Sequence, residues 1–278
     1  MLDGHPELFV APFEMHFFKH LDRKINYPVK RRMPDGRHFA NSVISSIKQE
    51  ILIANNYSDI LPEAINEINI PFFEKYIKDN CKSNMGEKQK LQIYVSALIY
   101  ACENKKLDSQ TRLVEKSVEN AEFAIDLYKM FPSAFFIHVI RNPYANSISL
   151  SKYQEIRLKD KRYLDMAVET LRQNYSAREK NKEIIPDYIT LRYEDLLTGP
   201  GLVMRELAEN IGITYEKSLL EPTSMNIPWP GNSISGSKFT GLDKDNLMAW
   251  RGVASESQIT YINRYLGKYI KELGYDKH

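Results

Sequence analysis

The stretch that most constrains this chain is Ala134-Phe135-Phe136-Ile137-His138-Val139-Ile140, apolar but for one histidine, which stops at Arg141-Asn142-Pro143. A short run with apolar residues at successive positions reads as a strand buried on both faces, the form strands take in a parallel sheet covered by helices. Pro143 then suits the first turn of a helix. Further strands are expected over residues 8–10, 112–116 and 188–193. Helices are expected over residues 41–54, 90–103, 119–131, 164–185, 200–211 and 255–273, with one or two more over 62–80 starting at Pro71. Residues 1–6 read as a helix tail with Gly4 as its cap and Pro6 as its stop. Strands alternating with helices through long connections predict an α/β fold, a parallel sheet with helices on both faces.

With 278 residues the chain is long enough for one large core, and no Gly/Ser/Pro-rich linker divides it, so a single domain over 1–278 is expected. A formal net charge of +2 gives no general pull toward nucleic acid. The basic run Lys30-Arg31-Arg32, with Arg37 nearby, reads as a solvated loop. The two cysteines, Cys81 and Cys102, fit no zinc spacing and read as reduced thiols, hence a cytoplasmic setting. No apolar stretch reaches the length of a membrane-spanning helix, and Asp3, His5, Pro6 and Glu7 interrupt any signal-like core.

In an open parallel sheet, ligands bind beyond the carboxyl ends of the strands. The polar residues there are Glu14, Lys116, Arg141 and Arg192-Tyr193-Glu194. Arg141, between a buried strand and a helix start, makes an anion site: a planar fork of donors beside free helix amides, or else a structural ion pair. Glu14 is either the partner of these cations or a general base, and His16 is a rival base. Phe13, Phe17 and Phe18 would keep water from either. Glu194 and Asp195 read as caps of the following turn. The sequence carries no metal-ligand cluster, no Gly-x-Ser-x-Gly elbow and no Gly-x-x-x-x-Gly-Lys-Ser/Thr loop.

Several segments, in order, resemble the sulfotransferase superfamily, especially its bacterial branch and the tyrosylprotein relatives. They are Leu2-Asp3-Gly4-His5-Pro6-Glu7-Leu8, Val114-Glu115-Lys116-Ser117, the run from Phe131-Pro132 to Arg141-Asn142-Pro143 with Ser149 eight residues after Arg141, Leu191-Arg192-Tyr193-Glu194-Asp195-Leu196, Asn232-Ser233 and Trp250-Arg251. The resemblance implies a P-loop NTPase-like fold with a helical insert around residues 19–106. It implies 3′-phosphoadenosine-5′-phosphosulfate as sulfuryl donor, an acceptor hydroxyl on a glycan, a tyrosyl group or a small molecule, and no metal. By the same resemblance Arg141 and Ser149 hold the donor's 3′-phosphate, Tyr193 and Ser233 line the nucleotide site, Lys116 stabilises the leaving bridging oxygen, and Glu14 is the base, with His16 still open.

The family's Gly-x-x-Arg-Ser-Gly-Thr-Thr loop and the strand before it would lie ahead of Leu2. A start assigned too late is the expected reason, and weak or absent transfer by the 278 residues the expected result. Two alternatives remain: a non-catalytic nucleotide- or carbohydrate-binding relative, and a P-loop small-molecule kinase. The acceptor and the oligomeric state cannot be read from the sequence.

Overall fold

The computed structural model describes residues 1–21, 23, 39–56, 65, 67–103, 111–158, 163–229, 241–244 and 247–278. In chain order the elements are β1 (Leu8–Val10), α1 (Phe39–Asn56), α2 (Ile70–Asn80), α3 (Glu87–Glu103), β2 (Arg112–Val114), α4 (Asn120–Met130), β3 (Phe136–Ile140), α5 (Pro143–Leu158), α6 (Tyr163–Ile184), β4 (Tyr188–Arg192), α7 (Tyr193–Thr198), α8 (Pro200–Ile211), β5 (Thr223–Ser224), β6 (Ile227–Pro228) and α9 (Glu256–Glu272). They fall into two compact units.

In the first unit, β1 and β2 pair in parallel with Leu8 opposite Arg112 and Val10 opposite Val114, and the Ala11 amide continues the ladder onto the Val114 carbonyl at 2.9 Å. Helix α2 starts where Pro71 suggests: Asn69 caps it by accepting from the Phe72 amide, and Pro71 occupies the first turn, where its missing N–H costs nothing. The core gathers Phe17, Phe18, Val43, Ile47, Phe73, Ile77, Tyr94 and Leu98. Residues 1–7 form turns rather than a helix tail, with Gly4 at φ +80°. Strands β5 and β6 make a small antiparallel hairpin absent from the sequence reading. Its two turn residues, Met225 and Asn226, both have positive φ, the form that matches strand twist in a two-residue hairpin.

His20 is buried in this core, edge-on to Phe39 and Tyr94, with Nδ1 2.9 Å from Ser42 Oγ. Burial holds its imidazole down to about 4, with nearby Lys19 and His16 adding to the effect. The unfolded chain therefore takes up a proton near pH 6.5 that the folded chain refuses until about pH 4. Stability is full above pH 6.5 and falls as the pH drops through that window. Urea unfolding across this range is expected to show the decline, and His20→Gln to flatten part of it; an unchanged slope in the variant would assign the loss elsewhere.

In the second unit, β3 and β4 pair in parallel from Phe136–Tyr188 to Ile140–Arg192. Helices α5, α6 and α9 pack on one another around Ile140, Tyr144, Ile148, Val168, Leu171, Trp250, Ile262 and Leu266. Ser255 and Gln258 close a reciprocal capping box at the start of α9. The expectation of full burial for β3 is corrected: Ile140 is buried, but Val139 is 53% exposed and the other three residues are half-buried. Among the described residues β3 is hydrogen-bonded on one side only, to β4, so its apolar run is covered chiefly at the Ile140 end. No described helix is long and apolar enough to cross a membrane, and Cys81 and Cys102 are not joined by a disulfide.

Candidate active site

The register of the first parallel pair explains why residues far apart in sequence meet. β1 and β2 end level, at Val10 and Val114, so the segments carrying Glu14 and Lys116 leave the pair at the same end. Lys116 Nζ forms an ion pair with Glu14 Oε1, and Glu14 Oε2 lies 3.3 Å from His16 Nε2. Three candidates from the sequence thus converge.

His16 sits in a left-handed backbone conformation, φ 49° and ψ 38°, uncommon outside glycine. Its surroundings hold it there. The His16 amide donates to Ser117 Oγ at 2.9 Å, and its carbonyl accepts from the Lys19 amide at 2.8 Å, opening the 3₁₀ turn Phe17–His20. The preceding Met15 amide donates to Glu115 Oε1 at 3.3 Å, and the Met15 carbonyl accepts from the Tyr94 hydroxyl at 3.2 Å.

Two carboxylates support the cluster from behind, and their environments push them apart. Desolvation raises the Glu115 carboxyl, against hydrogen bonds from Ser117 and Asn120. Glu119 is fully buried, and burial alone would raise it too. The His16 hydrogen bond, together with the charges of His16 and Lys19, outweighs that and holds it below the usual carboxylate range. Glu119 Oε2 lies 3.0 Å from His16 Nδ1, and Lys19 Nζ lies 2.8 Å from Nδ1 and 3.1 Å from Nε2. The sequence reading missed Glu119, Ser117 and Lys19. Glu119 stands where acidic residues ordinarily serve only the helix start, and nothing in the sequence tied it to residue 16.

In the second unit, Arg141 follows Ile140 directly. Its guanidinium lies over the Tyr193 ring at 5.2 Å, and its Nε is buried without a hydrogen-bond partner among the described residues. The expectation of free helix amides beside it is corrected. Asn142 Oδ1 accepts from the Tyr144 and Ala145 amides at 3.0 and 3.2 Å, Pro143 has no N–H, and the Asn142 amide donates to Glu194 Oε1 at 2.8 Å. The chain thereby satisfies its own helix start. Glu194 is likewise not a cap of its own turn, because its second oxygen accepts from the Tyr275 hydroxyl at 2.8 Å.

Ser149 is half-buried on α5, and among the described residues no hydrogen bond joins it to Arg141. Ser147 is fully buried, and its hydroxyl has no hydrogen-bond partner among the described residues. Ser233 lies outside the described residues, as does the basic run at 30–32 and Arg37.

A family model described as the sulfotransferase family matches residues 1–217. This chain belongs to the sulfotransferase family. Two solved structures share the fold of this sulfotransferase. One is a sulfotransferase domain from the curacin biosynthetic pathway, at 16% identity and a TM-score of 0.60, covering 100% of this chain and 92% of its own. The other is a sulfotransferase domain from the Synechococcus PCC 7002 olefin synthase, at 18% identity and 0.56, covering 99% and 88%. No curated protein matches the sulfotransferase. Its short parallel strands among helices are thus a P-loop NTPase-like α/β fold.

Proposed function

We propose that this sulfotransferase takes a sulfuryl group from 3′-phosphoadenosine-5′-phosphosulfate and passes it to an acceptor hydroxyl. The observation that carries the donor assignment is Arg141: a buried guanidinium Nε without a partner among the described residues, next to helix amides that the chain itself consumes. A buried donor left unsatisfied is costly, and an oxyanion satisfies it. Arg141 would hold the 3′-phosphate with Ser149, and Tyr193, whose ring already backs the guanidinium, would line the nucleotide with Ser233.

The reaction proposed is an in-line displacement. The acceptor oxygen attacks sulfur as the bond from sulfur to the bridging oxygen breaks, and that electron pair stays on the 5′-phosphate. Lys116 would stabilise this charge, and the acceptor's proton would pass to Glu14 or His16. The products are a sulfate ester and 3′,5′-adenosine bisphosphate. Positioning and charge dominate such transfers. The setting proposed is the cytoplasm, on the reading of Cys81 and Cys102 as reduced thiols.

Calorimetric titration with 3′,5′-adenosine bisphosphate and with ADP tests the donor. The 3′-phosphorylated ligand is expected to bind at least about tenfold tighter, and Arg141→Ala to abolish the preference, since a charge-assisted contact is worth roughly 1.5–3 kcal/mol. Equal affinities in a folded protein would remove the donor assignment and favour a sulfotransferase-like protein with another ligand.

A further inference from the structure

His16 has a carboxylate at each ring nitrogen, and the two carboxylates differ. Glu14, at Nε2, is partly exposed and tied to Lys116. Glu119, at Nδ1, is fully buried and brings both oxygens within 3.0–3.1 Å of that nitrogen. We propose that Glu119 is the positioning residue of the transfer reaction, accepting from Nδ1–H and so fixing the tautomer and orientation in which Nε2 meets Glu14 and the reacting hydroxyl.

The inference rests on the sulfuryl-transfer reading for its chemistry and on the geometry for its existence. In neutral imidazole one nitrogen donates and the other accepts. Glu119 and Glu14 can both only accept, but Glu119 brings two oxygens within 3.0–3.1 Å of Nδ1 against one Glu14 oxygen 3.3 Å from Nε2, so in the neutral ring Nδ1 carries the hydrogen and Nε2 the lone pair. Lys19 Nζ lies 2.8 Å from Nδ1 and 3.1 Å from Nε2, and with the hydrogen on Nδ1 its own donors can serve only the Nε2 lone pair in the resting state. When the acceptor hydroxyl loses its proton, directly to Nε2 or through Glu14, the ring becomes imidazolium. Nε2–H then donates to Glu14, Nδ1–H stays on Glu119, and Glu119 remains ionised. A buried anion fixed behind the ring favours that charged state, as the aspartate of a hydrolase triad does. The charged and titratable groups facing His16 are Glu14, Lys19, His20 and Glu119, with Glu115 behind its backbone, Lys116 reaching it through Glu14, and Tyr94 on the neighbouring Met15 carbonyl.

The test is long-range proton–nitrogen NMR on the full chain with labelled histidine, the His16 signal being assigned by its loss in His16→Gln. The unsubstituted protein should show the neutral ring as the Nδ1–H tautomer. Glu119→Gln should populate the Nε2–H tautomer, while Glu119→Asp restores part of the Nδ1–H form. The rate at saturating donor should fall with the tautomer and recover in part in Glu119→Asp. An unchanged His16 tautomer in folded Glu119→Gln overturns the proposal, whatever the rate does. Unfolding of both variants also overturns it, by making Glu119 a stability residue. The NMR changes without any sulfuryl transfer would instead sink the reaction assignment and leave the positioning role standing.

Discussion

Lys116→Ala is expected to slow sulfuryl transfer by about 10²–10³-fold in a single-turnover assay while thermal unfolding stays where it was. The two halves of this expectation have different physical sources. The Lys116 side chain is 76% exposed, and its described contact is the ion pair with Glu14. An exposed pair of this kind contributes within about 1 kcal/mol of stability, because water and salt screen both charges. In the proposed role the same ammonium would stand opposite the bridging oxygen that becomes charged in the transition state, so its loss would fall on the rate. Lys116→Arg should recover only part, since a planar fork does not reproduce a point charge. Donor affinity measured alongside should move little. A large loss of affinity with the rate at saturation unchanged would make Lys116 a ground-state contact and end its proposed role.

The largest effect on stability is expected at Tyr144. Its ring is fully buried and stacks on Trp250 at a centroid distance of 4.9 Å with the planes 9° apart. Its hydroxyl donates to Asn263 Oδ1 at 2.5 Å and accepts from the His278 amide at 3.0 Å. The residue therefore ties α5 to α9 and to the last residue of the chain through both its apolar body and its polar tip. Tyr144→Ala opens a cavity in the core of the second unit and should cost about 3–5 kcal/mol in denaturant unfolding. Tyr144→Phe keeps the ring and should cost about 1 kcal/mol. Equal losses for the two substitutions would mean that the hydroxyl network, and not packing, holds α9 in place.

Periodicity and punctuation made most of the fold legible. Helix α8 begins at Pro200 and ends before Gly212 as the sequence suggests, and α2 starts around Pro71. β1, β3 and β4 fall inside the apolar runs that announced them. The strand-end rule drew attention to Glu14, Lys116 and Arg141 because only their positions in the chain were needed. What stayed hidden depends on contacts distant in sequence. Asn142 reads in the sequence only as part of the stop after the strand, yet its side chain consumes the amides assigned to a ligand. Glu194 looked like a local cap, yet it bonds residues 52 and 81 positions away. Glu119 lies 103 residues from His16, and no local pattern records that pairing. The apolar run of β3 gave its strand but not its burial, because apolarity says what a residue prefers to touch and not what the fold supplies.

The left-handed backbone at His16 also limits how this site can change over time. A branched side chain there would meet its own backbone, so Val, Ile and Thr are poor replacements at that position. Glycine would fit with less strain than histidine, but it brings no imidazole. The substitution that most relaxes the chain at residue 16 is thus the one that removes its chemistry. Glycine would also take the His16 hydrogen bond from the fully buried Glu119, so the backbone strain it relieves is set against a buried carboxylate left short of a partner, and a variant library sorted on stability alone would be expected to keep a hydrogen-bonding side chain at residue 16.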